Sequence, residues 1–364
     1  QQNVRDMVAS GAPWQLVTTF NEWGEGTAVE SATEWQSGSG YGAYLDALHT
    51  NGQGTITTPV STAVPTSTPM TTPTLTPTVT PTRTPTPSAT AVSGSAIGFI
   101  GAGDIAGCSN TSDSDSGAII AAHPADYVFT LGDNAYDNGT STEFANCYNP
   151  AWGGFKNRTH PAPGNHDYST ANATGYFGYF GAAAGDPTKG YYSYDLPGSN
   201  WHVIVVNSNC GSIGGCAVGN PQYVWLQADL VANSSKNVVA MWHHPRYSSG
   251  TTHGNATNMD AIWDLLVVNH VDLVLNGHEH NLEVFAPLGA SDNVDTANGT
   301  REFVIGTGGK DGNYPFGAAI TGSGYRCAGA LGVMEFQLYG DHYTWQFINS
   351  PGSTCSTSGS QPVH

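Results

Sequence analysis

The stretch "PAPGNHDYST", residues 161–170, sets Asn165, His166 and Asp167 between a glycine and an aromatic residue, with prolines just before. Pro161, Pro163 and Gly164 punctuate a turn, which displays the polar triplet on a loop and keeps it out of a core. Asn and Asp also favour turns for local reasons, so the triplet alone does not separate a turn from a site. The segments on either side decide. Similar polar clusters recur, and each follows an apolar run: "AIGFIGAG", "DYVFTLG", "HVIVVNS", "NVVAMW", "VDLVLNG", "REFVIGTG" and "GVMEFQLY" read as strands. Helices are expected near Gly117–Ala122, Pro221–Ala232 and Asn258–His270. Continuous apolar strands alternating with helices predict an α/β fold with a largely parallel sheet covered on both faces. Open sheets of that kind gather ligands at the carboxyl ends of their strands, where these clusters fall.

Composition narrows the possible partners. Of 364 residues, 39% are hydrophobic, enough for one large core or two ordinary ones. Asp and Glu number 28 against 10 Lys and Arg, a net charge of −18. A nucleic-acid surface needs a basic face, which so few cations do not supply. The same excess repels an anionic substrate unless a bound metal cation attracts it locally. No apolar run reaches the length of a membrane span, and nothing implies a protein partner. The start, "QQNVRDM", lacks a signal-peptide pattern and reads as a mature chain or a fragment. Six cysteines without Cys-x-x-Cys spacing favour three disulfides in an exported, extracellular protein. Cys210 and Cys216 bracket "GSIGG" and are expected to close a small loop.

Residues 54–95 form a Thr/Pro-rich tract without hydrophobic period, read as a disordered, semi-rigid linker. It separates residues 1–53 from a catalytic domain spanning 96–350, with 351–364 as a C-terminal tail. In the first segment, Gln15–Phe20 reads as a buried strand, and Tyr41, Tyr44, Leu45 and Leu48 fall at helical spacing. Its "NEWGEG" loop resembles a motif at a barrel-strand end in GH99-like glycoside hydrolases. That resemblance implies a (β/α)-barrel fragment with Glu22 and Glu25 as the paired carboxylates that glycoside cleavage requires. A non-catalytic appendage is the alternative, and the favoured one.

Read strand end by strand end, the clusters are "GDIAG" with Asp104, "GDNAY" with Asp133 and Tyr136, and "GNHD" with Asn165 and His166. They continue with "WHHPRY" carrying His243 and His244, "TTHGN" carrying His253, and "NGHEH" carrying His278 and His280. Carboxylate, amide oxygen and imidazole together suit first-row cations such as zinc, manganese or iron. A pair of metals roughly 3.5–4 Å apart needs a bridging ligand, for which Asp133 is suited. The period of two in an extended segment puts His278 and His280 on one side and turns Glu279 away.

In this ordered set, residues of about 97–350 resemble the calcineurin-like metallophosphoesterases, and Tyr136 resembles the purple acid phosphatase branch. The resemblance implies a four-layer α/β/β/α sandwich and two divalent or trivalent metal ions. It implies Asp104, Asp133, Tyr136 and His280 around one ion, ferric in that branch, and Asp133, Asn165, His243 and His278 around the other. It also implies that His166 and His253 contact the substrate and protonate the leaving group, with His244 able to exchange roles with its neighbour. Where the broader family has Asp-x-His in its first motif, Ala106 stands here, and Tyr136 is the natural substitute. The implied activity is hydrolysis of a small phosphate ester, monoester ahead of diester or nucleotide. The rival from another class is a carbohydrate- or surface-binding module whose metal is structural.

Overall fold

The computed structural model describes residues 96–364 apart from residue 312. The expected barrel fragment with Glu22 and Glu25, and the Thr/Pro tract, lie outside the described residues. Along the chain the strands are β1 (Ile97–Ala102), β2 (Ala106–Gly107), β3 (Tyr127–Leu131), β4 (Ala135–Tyr136), β5 (Thr159–Ala162), β6 (Tyr192–Asp195), β7 (Trp201–Val205), β8 (Asn237–Met241), β9 (Leu273–Asn276), β10 (Leu282–Phe285), β11 (Arg301–Ile305), β12 (Ser323–Cys327), β13 (Gly332–Leu338), β14 (His342–Asn349) and β15 (Ser358–Pro362). They form one sheet in the order β15-β14-β13-β1-β3-β5 and a second in the order β12-β10-β11-β9-β8-β7-β6, while β2 and β4 pair separately. β1, β3 and β5 run parallel, as do β7, β8, β9 and β11. The outer strands add antiparallel.

The two sheets share a core. Phe99, Phe129 and Phe336 of the first belong to one buried cluster with Val203, Val205, Val239, Met241 and Phe303 of the second. The alternate residues Ile204, Val238, Ala240, Val274 and Val304 pack instead with helix residues such as Leu226, Leu230, Ile262 and Leu266. A strand turns successive side chains to opposite faces, so a strand covered on both must be apolar throughout. The longer helices are α1 (Ser112–Ala121), α2 (Thr174–Phe180), α3 (Pro221–Ala232) and α4 (Asp260–Val268). Pro221 opens α3 at a position where its missing N–H costs nothing.

Three disulfides fasten the periphery: Cys210–Cys216 as expected, Cys108–Cys147 and Cys327–Cys355. Residues 351–364 are not a loose tail. β15 pairs with β14, and Cys355 is bonded to β12. The sheet edge offers unpaired backbone groups, and "SGSQP" takes them without the apolar run that would announce a strand.

His202 on β7 is buried between two carboxylates, with Nδ1 2.7 Å from Asp195 and Nε2 2.8 Å from Asp229 of α3. Burial opposes its charge, but the paired aspartates raise its pKa above the ordinary value. The resulting stabilisation is complete below the unfolded pKa of about 6.5 and fades as pH rises through the higher folded value. His202→Gln is therefore expected to lower unfolding free energy by roughly 1.5–3 kcal/mol in mild acid. Denaturant titrations of both proteins should show that gap narrowing as pH rises above about 6.5; a gap that widens with pH contradicts the assignment.

Candidate metal centre

The carboxyl ends of the parallel strands meet at one edge, and the backbone there is held in unusual shapes. Asp104 after β1, Asp133 after β3 and His278 after β9 all have left-handed φ, of 61°, 49° and 70°. Each such non-glycine residue costs of order 1–3 kcal/mol and persists only where its surroundings impose it. Cross-links between the loops do so. Asp104 and Ile105 donate their N–H groups to the carbonyls of Gly132 and Asp133, and His278 N–H donates to Asp104 Oδ2 at 2.7 Å. Two glycines permit the approach: a Cβ on Gly132 would lie 2.6 Å from His243 Nδ1, and one on Gly164 would lie 2.1 Å from Asp133 Oδ1.

The structure brings all seven candidate ligands together. Tyr136 Oη lies 2.8 Å from Asp104 Oδ1, 3.1 Å from Asp133 Oδ2 and 3.1 Å from His280 Nε2. On the other side, His243 Nε2 lies 3.2 Å from Asp133 Oδ2, 3.1 Å from Asn165 Oδ1 and 3.1 Å from His278 Nδ1. Asp133 Oδ2 thus stands between two groups of donor atoms. Ala106 sits in β2 beside β4, and the phenol of Tyr136 on β4 reaches Asp104.

With neutral imidazoles these contacts would contain too few protons. His243 Nδ1 faces the Leu131 carbonyl at 2.7 Å, and a carbonyl only accepts, so the proton is on Nδ1 and a neutral ring turns a lone pair inward. His280 Nδ1 likewise faces Asp311 Oδ1 at 2.6 Å, so a neutral ring would turn a bare Nε2 toward Asp104 and Tyr136. One phenolic hydrogen cannot serve two carboxylates and an imidazole. Protonation expresses the same imbalance. Burial disfavours a charged imidazole, yet Asp133 lifts His243 to about 9 and Asp104 lifts His280 to about 10. Burial also opposes ionisation of Asp133, but His243 draws its carboxyl down to about 2. Buried carboxylates, imidazoles, an amide oxygen and a phenol converging on one point fit first-row metal cations. Asp104, Asp133 and His243, and separately His243, His244 and His278, have ligand atoms close enough for single ions.

Three histidines surround this core. His166 Nδ1 lies 2.6 Å from the Asp137 carbonyl, which turns Nε2 toward the cluster, 3.9 Å from Asp133 Oδ2. His244 is held through Nδ1 by Ser208 Oγ at 2.7 Å, and burial pulls its pKa down to about 3. His253 is exposed and stacks on His278 with ring centres 3.9 Å apart. Its loop hangs on three buried glutamates. Glu302 accepts the N–H groups of Arg246 and Tyr247, Glu283 that of Ser249, and Glu279 those of His253 and Gly254.

Sequence reasoning missed the supporting residues. Asp311 and Lys310 follow β11, and Ser208 follows β7, both strands legible in the sequence, so the same strand-end rule would have pointed to them. Asp167 was read only as part of a turn. It is buried and accepts from Gly164 N–H and the Asn134 side chain, tying the β5 loop to the β3 loop.

Residues 99–282 match the family described as calcineurin-like phosphoesterase. Purple acid phosphatase 15 of Arabidopsis thaliana is 28% identical over 218 residues, 50% of this chain and 39% of its own length. An acid phosphatase of Aspergillus ficuum is 34% identical over 108 residues, 28% of this chain and 18% of its own. The chain thus spans well under half of these relatives. Among solved structures, purple acid phosphatase PPD1 from yellow lupin seeds superposes with a TM-score of 0.57 and 16% identity, covering 73% of this chain and 53% of that one. GAP50, the anchor in the inner membrane complex of Plasmodium, gives 0.58 with 14% identity, covering 74% and 90%. At such identities these structures establish a shared fold.

A cluster starved of positive charge should be stabilised by cations. Zinc, manganese or iron at a hundredfold excess over Kd is expected to add roughly 2.7 kcal/mol per site, about 5–10 °C in unfolding midpoint for a chain of this size. Asp133→Asn should lose most of that increment in a thermal melt. An unfolding midpoint indifferent to all three metals would refute the site.

Proposed function

The chain belongs to the calcineurin-like phosphoesterase family, and from that membership we propose that it is a metal-dependent phosphoric ester hydrolase, specifically a dinuclear phosphomonoesterase of the purple acid phosphatase type. The observation that carries the reading is Asp133 Oδ2 lying between two sets of donor atoms, at 3.1 Å from Tyr136 Oη and 3.2 Å from His243 Nε2. In this reading Asp104, Asp133, Tyr136 and His280 hold one ion. Asp133, Asn165, His243 and His278 hold the other. Tyr136 in the first set favours iron there, with iron, zinc or manganese in the second. When bound, the cations supply water of lowered pKa and positive charge against the phosphate oxygens.

The remaining work falls to the chain. The phosphate enters between His166, His244 and His253, which approach the metal ligands from the open side. His166 keeps its Nδ1 proton on the Asp137 carbonyl and carries a second proton at Nε2 to the leaving oxygen as the ester bond breaks. Lys310 steadies that arrangement, pairing with Asp137 Oδ1 at 3.0 Å while lying 4.7 Å over the Tyr136 ring. His244, fixed by Ser208, and His253, fixed through Glu279, hydrogen-bond the phosphate oxygens. Three disulfides support an exported enzyme, in which residues 54–95 act as a spacer between modules.

The test is hydrolysis of a chromogenic phosphate monoester by metal-loaded protein. His166→Asn is expected to lower kcat about 10²- to 10⁴-fold with metal content unchanged, and Tyr136→Phe to abolish any tyrosinate-to-iron absorption band. Faster turnover of a bis-ester would convert the reading to a diesterase. Two metals bound with no ester hydrolysed would overturn it and leave a binding module.

A further inference from the structure

A cavity of about 480 Å³ lies against the turn that follows His166, within the range that holds small organic ligands. One wall is the turn that begins at His166: Tyr168, two residues on, lines the cavity, and its Oη accepts from Asn207 Nδ2 at 2.8 Å. Asn207 is the neighbour of Ser208, which fixes His244. The opposite rim carries Ser212, in the small loop closed by Cys210–Cys216. The cavity therefore abuts the segments that hold two of the three phosphate-facing histidines.

Its lining has a definite chemistry. Tyr168 and Phe177 are both half-buried aromatics, and Asn172, Thr174, Thr188 and Ser212 add an amide and three hydroxyls. No lining residue is charged. Asp186 and Lys189, which flank Pro187 and Thr188, lie 3.6 Å apart as a pair, and Asp167 beside Tyr168 is buried. Asn172 and its neighbour Ala173 both hold left-handed φ, of 55° and 49°. Two consecutive strained non-glycine residues at a cavity wall are the kind of backbone found at ligand clamps.

We propose that this cavity is the leaving-group subsite, and that it selects phosphate monoesters whose alcohol is an uncharged, planar-ring group, an aryl or nucleoside moiety, over polyphosphorylated esters. The inference rests on the phosphomonoesterase reading above. An aromatic ring enters between Tyr168 and Phe177, gaining stacking and burial. The amide and hydroxyls meet polar ring edges. A leaving group carrying further phosphates would bring anions to a wall without a cation in a chain of net charge −18. After cleavage the ring alcohol departs neutral, having taken its proton from His166.

Kinetics on metal-loaded protein with phenyl phosphate, adenosine 5′-monophosphate, glycerol 2-phosphate and inositol hexakisphosphate test this. Wild type should favour the two ring esters in kcat/KM. Phe177→Ala should raise KM for them roughly two- to tenfold, the range of one aromatic pair, and leave glycerol 2-phosphate unchanged. Ser212→Phe, on the exposed rim, should fill the cavity and do the same if Phe177→Ala folds poorly, as judged by its melt. A gain confined to phenyl phosphate marks an aryl subsite, and one shared with the nucleotide marks a nucleoside subsite. Preference for inositol hexakisphosphate, or equal loss on every ester, would overturn the proposal while leaving the phosphatase reading intact. No turnover of any ester would instead remove the reading on which it stands.

Discussion

The structure depends on the negative charge of one buried carboxylate. Asp133 is buried, accepts the His166 N–H at Oδ1 and turns Oδ2 toward a phenol and an imidazole. Buried like charges and facing lone pairs are costly unless a countercharge lies among them. Everything nearby keeps them in place regardless. Three left-handed residues, the β2–β4 ribbon and the Asp167 tie all fix loops that would otherwise separate under their own repulsion. The stability of the two-sheet core permits this, because the strain is confined to strand ends and the strands themselves are packed on both faces.

The parallel strands were legible because double coverage makes them uniformly apolar, and a run such as "HVIVVNS" has no other economical use. Their loop ligands were legible for a related reason: each except Tyr136, which lies in β4, follows a strand end by two to four residues, so order along the chain maps onto position around the edge. The antiparallel additions were not. In β14, Tyr343, Trp345 and Phe347 face inward while Thr344 and Gln346 face out, a period-two pattern easily lost between polar residues. β15 contains no large apolar side chain at all. The partners that set tautomers escaped as well. The Leu131 carbonyl has no side-chain signature, and Asp311 meets His280 across 31 residues of chain.

A shared fold is a weak guide to chemistry here. Superposable structures include a purple acid phosphatase and a protein titled an anchor of a membrane complex, at nearly equal TM-scores of 0.57 and 0.58. The sheets supply an edge, and the residues placed on it decide what the edge does. In this chain that edge carries seven candidate ligands within contact of one another.

The loop bearing His253 illustrates how such a site can change its preferences. Glu279, Glu283 and Glu302 grip residues 246–254 through main-chain amides, which every amino acid except proline possesses. The anchoring is therefore blind to the identity of most side chains it holds. Thr251 and Thr252 stand exposed on that segment. Thr252 can be exchanged without releasing the histidine beside it, whereas Thr251 also donates through Oγ1 to the Pro315 carbonyl, so part of the rim can vary while its position stays fixed.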